Sequence, residues 1–489
     1  MAAARRQATA GLRGLLGRLG RALGFGSVAA RYDAAQTTDG NRKHWGNADS
    51  LSVDSANSPS VRLALRNRAR YEVANNSFLY GIVSTLANDT VGTGPRLQLL
   101  DKAKASDVER SWESWARKVG LARKLRTMSR AWSVDGEAFA IKIDNPNLDH
   151  VVKLDLRLVE AEQVASPLSA FSLTGPNSAL LDGITLDAYG NPLSYSVARE
   201  HPGSSGFSVF ASDDYETVKA ADMIHLFSAD RPGQHRGIPR IMSSLTIGSI
   251  LRRFREATLR AAETAAQIAM VTYTDSPPDG EAVATNPMET VDLESNVATT
   301  LPAGWKLGQV KAEHPNLMFE EFNRNMVSDM GRPVNMPYNI AACDSSRYNY
   351  ASGRLDHKTY FKSIDVDRSD FETVVLDAIF AAWIWMYMLA TRQFLAVDHE
   401  WYWPGDEHVD PVKEATAQQI RIDSGVTTLK RECAAQGEDW EQVIEQRGIE
   451  REKLAARNLL PVTPAVPKPA PGATPPIDPD EEIPEEAVH

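Results

Sequence analysis

The chain has 489 residues, a formal net charge of −11 and a sequence pI near 5.5. That length exceeds one ordinary hydrophobic core, so two or more domains are expected, and the 43% hydrophobic and 24% charged content is that of a soluble globular protein. The acidic balance excludes a tight generic binder of duplex DNA, because such affinity comes from neutralising phosphates; Cys343 and Cys433, the only cysteines, exclude a disulfide framework or a Cys-based zinc site and suit a reducing compartment.

Residues 1–29 form a basic segment in which Arg5, Arg6, Arg13, Arg18 and Arg21 alternate with leucines at roughly helical spacing. Its apolar pieces are too broken for a secretory signal, and a mobile terminus is expected. Residues 38–58 are rich in Asn, Asp and Ser and read as a loop. Ser60 to Asp89 reads as helix in two pieces, broken near Asn75-Asn76-Ser77. Arg62, Arg66, Arg68 and Arg70 cluster on the first piece, as a solvated face or a contact to DNA or a neighbouring subunit. Val91-Gly92-Thr93-Gly94-Pro95 forces a turn before a strand at Arg96–Leu100.

Ala105 to Ser133 is predicted as one helix carrying Trp112, Trp115 and Trp132. Asp135-Gly136 then turns into an alternating strand from Glu137 to Ile143; Glu137 has no partner visible in the sequence and is read as non-catalytic. Residues 140–227 carry a β signature, with strands at Val151–Leu154, Leu158–Val164, Gly183–Leu186, Leu193–Val197 and Met223–Phe227. Asp187 to Pro192 is a hairpin turn, Ser166–Asn177 an irregular loop, and His225 a structural hydrogen-bonding residue rather than a metal ligand.

Arg231-Pro232-Gly233-Gln234-His235-Arg236-Gly237-Ile238-Pro239 is a loop that opens a long helix, with no further proline until Pro277. Helical from Ile241 to Val271, it would extend on the order of 45 Å. Ile247, Leu251, Phe254, Thr258, Ala261, Ala265 and Ile268 share one stripe, and Arg252, Arg253, Arg255, Glu256, Arg260 and Glu263 occupy the other faces. Such a stripe is buried in the helix's own domain or packs against copies of itself. Tyr273–Asn296 is Pro-, Gly- and acid-rich, including Asp279 and Glu281, and reads as a loop excursion. A helix is expected from Pro315 to about Met330. Another, heavily apolar, covers 354–393, whose run Val374–Ala390 is shorter than a membrane span needs and contains Asp377. Short helices follow at Lys413–Ser424, Thr428–Gln436 and Trp440–Arg447, broken at Gly425 and Gly437. Nine prolines fall in 461–489, a Pro-rich acidic tail that is predicted to be disordered.

Chemistry is sought and not found. There is no phosphate-binding Gly-X-X-X-X-Gly-Lys-Ser/Thr loop, no His-Glu-X-X-His and no Gly-X-Ser-X-Gly. Asp398, His399, Glu400, Asp406, Glu407, His408 and Asp410 form the one dense acid–histidine cluster, the basis of an alternative reading as a metal-dependent nuclease or hydrolase. A DNA-binding monomeric adaptor acting through Arg62–Arg70 is a further alternative. No catalytic residue, metal or cofactor is assigned.

Several motifs in order resemble the lambda-like portal proteins of tailed bacteriophages. They are Arg31-Tyr32-Asp33-Ala34-Ala35, the helix into Val91-Gly92-Thr93-Gly94, Gly136-Glu137-Ala138 before a strand, Arg231 to Pro239 before a long helix, and Pro337-Tyr338 followed by Asp344, Ser345 and Asn349-Tyr350-Ala351-Ser352. Trp403-Pro404 followed by Asp410-Pro411-Val412-Lys413-Glu414 completes the set. Met336, Ala351 and Gly353 depart from the family's usual residues. The resemblance implies an α+β portal fold with a helical stem, an α/β wing, a β-containing clip and a C-terminal helical crown, assembled as a ring, usually of twelve. On that pattern 1–29 is a flexible basic segment, 30–235 wing and clip, β-rich from 136, and 236–272 the stem helix. Residues 273–300 become the tunnel loop, 301–400 wing helices and core, 401–460 crown, and 461–489 the tail. Arg252, Arg253, Arg255, Glu256, Arg260, Asp279 and Glu281 become channel- or DNA-facing candidates, and Leu251, Phe254, Thr258, Ala261, Ala265 and Ile268 subunit-interface candidates. The implied partners are further copies of the chain, double-stranded DNA in the channel, the terminase large subunit, major capsid and scaffolding proteins and head-completion adaptors, with no membrane. The implied location is a capsid vertex of the virion, after assembly in the host cytoplasm.

Overall fold

The computed structural model describes residues 39–40, 43–100, 105–167, 179–204, 214–267, 271–274, 305–308, 319–395, 397–405 and 411–459. The chain divides into two compact units, one formed by Met1–Ser58 with Arg231–Gln234, the other by the remainder. In the first, the single-turn helix α1 (Val53–Ala56) is capped by Ser52, whose hydroxyl accepts from the Ser55 N–H. Arg231 donates from Nη2 to the Leu51 carbonyl at 3.2 Å, so the Arg231–Gln234 turn packs with the distant N-terminal segment.

The second unit begins with α2 (Pro59–Asn75) and α3 (Ser77–Val91). The break falls where Asn76 caps α3, its side chain accepting from the Phe78 and Leu79 N–H groups. Gly92, at φ +55°, ends α3, and β1 (Arg96–Leu99) follows. The single helix expected over Ala105–Ser133 is two, α4 (Ala105–Val119) and α5 (Leu121–Val134). Gly120 adopts the left-handed conformation between them, φ +65° and ψ 40°, so its Gly allows a corner that the apolar spacing alone does not mark.

Strand β2 (Glu137–Asp144) lies between β3 (Leu154–Val159) and β8 (Met223–Phe227) in an antiparallel sheet. Strands β4 (Ala179–Leu181), β5 (Ile184–Leu186), β6 (Pro192–Ala198) and β7 (Tyr215–Lys219) form a four-stranded meander. The expected turn joins β5 to β6: Asp187 Oδ1 accepts from the N–H groups of Tyr189 and Asn191, both at 2.8 Å. The strand expected over Leu158–Val164 survives only as the end of β3 and an isolated bridge from Val164 to Val197. Side chains of β2 alternate between two cores, as a strand's period of two requires: Ala138 and Ala140 join a tryptophan-rich cluster, Phe139 and Ile141 a cluster between the two sheets.

The long helix α6 (Ser244–Gln267) is shorter than expected, 24 residues or about 36 Å. Strand β9 (Val271–Thr274) pairs with β10 (Trp305–Gly308), a pairing the acid-rich composition of the intervening stretch concealed. Then come α7 (Phe319–Gly331), α8 (Tyr338–Ala341), α9 (Tyr350–Asp370), a π-helical segment Phe371–Leu376 and α10 (Asp377–Thr391). Strand β11 (His399–Tyr402) pairs antiparallel with β1, Arg96 opposite Tyr402 and Leu99 opposite His399. Helices α11 (Pro411–Asp423), α12 (Leu429–Ala435) and α13 (Trp440–Ala456) match the three short helices expected, α13 running nine residues further.

Trp112, Trp115, Trp132, Phe371, Phe380 and Trp383 build the tryptophan-rich core. Trp112 meets Trp383 edge-on at 5.3 Å, and Trp383 stacks on Tyr387 at 5.0 Å, geometries that suit the ring quadrupoles. The stretch Ala351–Thr391 is long and apolar enough over part of its length to cross a membrane. One face of its C-terminal part, with Phe371, Val375, Ile379 and Trp383, packs in this core.

Candidate functional site at the root of the long helix

A buried ionic junction holds the loop that leads into α6. Glu137, the first residue of β2, is buried, and each carboxylate oxygen is shared by several donors. Arg236 reaches Oε1 with Nη2 at 2.7 Å and Oε2 with Nε at 2.9 Å, a bidentate clamp. The Gly237 N–H donates to Oε2 at 3.0 Å, His225 Nε2 lies 3.1 Å from the same oxygen, and Arg66 of α2 donates to Oε1. Arg236 also donates from Nη1 to the Val164 and Asp182 carbonyls, at 3.0 and 2.5 Å. Glu137 and Arg236 together therefore tie the entrance of α6 to β2, to α2 and to both sheets.

Two glycines permit the crossing. A Cβ on Gly136 would sit inside the backbone of Ile238, and one on Gly237 would meet the Gly136 carbonyl. Gly136 is also at φ +90°. Burial pushes the Glu137 carboxyl upward, but Arg236, the His225 hydrogen bond and Arg66 outweigh it and hold it well below the usual carboxylate range. Burial pulls the Arg66 guanidinium down and pushes the Tyr195 phenol up to about 12.

His225 has the structural role expected of it. It stacks on Phe139 at 4.2 Å and on Phe227 at 4.5 Å and points Nε2 at Glu137. Burial depresses its pKa below 6.5, against the pull of Glu137. A histidine depressed in the fold keeps its full stabilising contribution above the unfolded value, and loses it as pH falls below about 6.5, because only the unfolded chain then takes up the proton. Denaturant midpoints are therefore expected to fall between pH 7.5 and pH 5.5, and to fall less in His225→Gln, which cannot titrate there. Equal slopes in the two proteins, measured side by side, would remove His225 from the account.

The arginines of α2 do not form a solvated or DNA-facing surface. Arg62 and Arg66 are buried, the first paired with Asp182, and half-buried Arg70 reaches Asp135 at 2.7 Å and Glu162 at 2.9 Å. The sequence showed the cluster but not its carboxylate partners, which lie 65 to 120 positions away. A DNA-binding adaptor acting through these groups is thereby overturned, since their charge is spent inside the fold; Arg68 alone of the four is exposed.

Helix α6 is rooted by its first turns. Ser244, Leu245, Gly248 and Leu251 are buried, with Gly248 against Leu79 and the Asn76 side chain, whose Nδ2 donates to the Gly248 carbonyl at 3.2 Å. Leu251, expected at a contact between copies, is 1% exposed inside its own subunit, because Gly248 lets α3 approach this close. Phe254 packs on Phe322 at 4.8 Å and Phe319 at 5.7 Å yet stays 37% exposed. Thr258 bonds back to the Phe254 carbonyl, and Ala261 is exposed. Ala265 lies within α6, while Ile268, Asp279 and Glu281 fall outside the described residues.

Of the charged candidates, Arg252 turns back to the buried Glu72 at 2.7 Å and stacks on Tyr71 at 5.2 Å, so it serves the root. Arg255 lies over Phe78, Arg260 pairs with Glu256 at 2.5 Å, and Arg253 is exposed. From Arg253 to Glu263 only Thr258 is not exposed. The helix thus has a fixed base and a largely exposed stretch from Arg253 to Glu263.

The acid–histidine cluster near β11 does not converge among its described members. His399 Nε2 faces Asp377 at 3.1 Å, whereas Glu400 accepts from Tyr402 and pairs with Lys430, both at 2.8 Å. Asp406, Glu407, His408 and Asp410 lie outside the described residues. Glu160, Glu162 and His201 do gather within metal-ligand distance. Arg70 fills that space, however, and His201 Nδ1 accepts the Gly203 N–H at 2.9 Å, which leaves the proton of a neutral ring on the nitrogen facing the acids.

The sequence model for phage portal proteins of the lambda family matches residues 39–368. Portal protein B of Escherichia phage lambda is 20% identical over 488 residues, covering 86% of this chain and 89% of that protein. Among solved structures, the neck of an empty GTA particle computed with C6 symmetry is 13% identical, with a TM-score of 0.45, and the match covers 78% of this chain and 94% of that one. The neck of a native GTA particle computed with C12 symmetry is 12% identical, with a TM-score of 0.43, covering 76% and 90%.

Proposed function

Because this chain belongs to the lambda family of phage portal proteins, we propose that it closes, as a ring of twelve copies, around a channel at one vertex of the capsid. Double-stranded DNA enters through that channel during packaging and leaves through it at infection. The ring docks the terminase large subunit, nucleates the procapsid from capsid and scaffolding proteins, and later receives the head-completion adaptors. Residues 236–272 act as the stem, 273–300 as the tunnel loop and 401–460 as the crown; residues 30–235 supply wing and clip, and 301–400 wing helices and core. Subunits meet for assembly in the host cytoplasm.

The observation that supports this most is the division of α6 into a buried root and an exposed stretch from Arg253 to Glu263. A helix of this composition has little stability in water without packing, so the stretch from Arg253 to Glu263 asks for neighbours that the described residues do not supply. Ring closure supplies them through a head-to-tail contact repeated about an axis. The exposed part of α6 bears Arg253, Arg255 and Arg260 against Glu256 and Glu263. It is therefore not acidic itself, and low affinity for sliding DNA rests on the acids of the tunnel loop, such as Asp279 and Glu281.

Negative-stain images of the purified protein test this directly. Annular particles with an open centre are expected. A uniform monomer over a wide concentration range would sink the proposal.

A further inference from the structure

Helix α10 and the π segment before it are apolar on both sides. One side, with Phe371, Val375, Ile379 and Trp383, is buried in the tryptophan-rich core. The other carries exposed Val374, Ala381, Trp385 and Leu389, whose seven- and four-residue spacing places them on a single stripe. Trp385 is 60% exposed and Leu389 62%. A helix that is apolar all round is normally covered all round.

Helix α2 offers a second face that is uncovered among the described residues. Its charged residues Arg62, Arg66 and Glu72 turn inward to Asp182, Glu137 and Arg252, so its outer side carries Leu63, Ala64 and Tyr71 around an exposed Asn67, with Leu63 47% and Tyr71 56% exposed. Exposed Arg68 stands among them. The flank of the α10 stripe carries carboxylates instead, exposed Asp370 and half-exposed Asp377, with exposed Arg392 only at its C-terminal end.

We propose that the outer stripe of α10 is a contact for a second copy of this chain and receives the outer face of that copy's α2. The inference rests on the ring reading above and says which surfaces close the ring. A repeated head-to-tail contact needs two different faces on one subunit, and these two both present large exposed apolar side chains, with acids beside one and Arg68 within the other. The same carboxylates argue against an anionic lipid surface, which attracts basic rather than acidic borders. They equally argue against DNA, which an apolar stripe with acidic edges repels.

The test uses the full-length protein with two variants, Trp385→Glu and Leu63→Glu, each on an exposed position so that far-UV circular dichroism stays that of the wild type. Each variant alone is expected to stay monomeric by mass photometry. An equimolar mixture is expected to stop at dimers, because one good α10 face then meets one good α2 face and both outer ends are spoiled. In wild-type annuli, hydroxyl-radical oxidation of Trp385 is expected to drop at least fivefold relative to the dissociated protein. Annuli in which Trp385 oxidises as in the monomer, or a mixture that fails to dimerise, overturn this contact and leave the portal reading standing. Flotation of the wild type, but not of Trp385→Glu, with vesicles of phosphatidylcholine and phosphatidylglycerol assigns the stripe to lipid and overturns it too. A wild type that never forms annuli takes the portal reading down and this contact with it.

Discussion

Glu137→Gln is expected to lower stability by about 3–5 kcal/mol, the usual cost of removing one partner from a buried ion pair. The substitution keeps the size of the side chain and removes its charge. Arg236, 2% exposed, and Arg66, 4% exposed, then face each other's positive charge with no carboxylate between them. One amide oxygen has to serve where two carboxylate oxygens now accept from Arg236, Arg66, His225 and the Gly237 N–H. The measurement is the denaturant midpoint, read together with an unchanged slope so that the shift reports stability. A loss under 1 kcal/mol would mean that the junction relaxes by admitting water, and that the root of α6 does not depend on it. Arg236→Lys should recover little, since an ammonium cannot make the bidentate clamp.

Gly136→Ala is the second large effect. Two costs combine. The residue is at φ +90°, where a Cβ is strained by roughly 1–2 kcal/mol. The added methyl also lands in the Ile238 backbone, so the β2 start and the α6 entry loop must separate, for about 1–3 kcal/mol more by the measure of overpacked cores. The sum, roughly 2–5 kcal/mol, should appear as a lower thermal midpoint and as earlier proteolysis within residues 230–240. Wild-type stability in this variant would show that the crossing has room to spare. Both substitutions act where α6 is anchored, so each is expected to reduce annular particles along with stability.

Much of this architecture was legible in the sequence because it follows short-range rules. The break at Asn76 is a cap, the turn at Asp187–Pro192 closes on its own side chains, and the strand at Met223–Phe227 alternates as it should. The corner at Gly120 was missed because Trp112, Trp115, Leu125 and Trp132 keep a helical rhythm across it. The candidate site was less legible. Leu251 shares its stripe with Phe254, and nothing local distinguishes packing on α3 from packing on another copy; only Gly248, out of place in a helix, hinted that a backbone comes close there. Glu137 looked isolated because its partners are 71, 88 and 99 positions away. Charge pairing across such separations leaves no periodic trace. The same blindness made Arg62 and Arg66 look like surface residues.

The pairing of β1 with β11 has a bearing on the order of events during synthesis. Residues 96–99 find their partner strand only at 399–402, and the tryptophans of α4 find Phe380 and Trp383 nearly as late. A nascent chain stopped before residue 380 therefore lacks these partners of Trp112 and Trp115 as well as the partner of the β1 edge. Contacts this distant in sequence form slowly, and the unfinished polypeptide is prone to aggregate. Quality control by the ribosome's attendant chaperones thus bears on this subunit well before any sister molecule can recognise it.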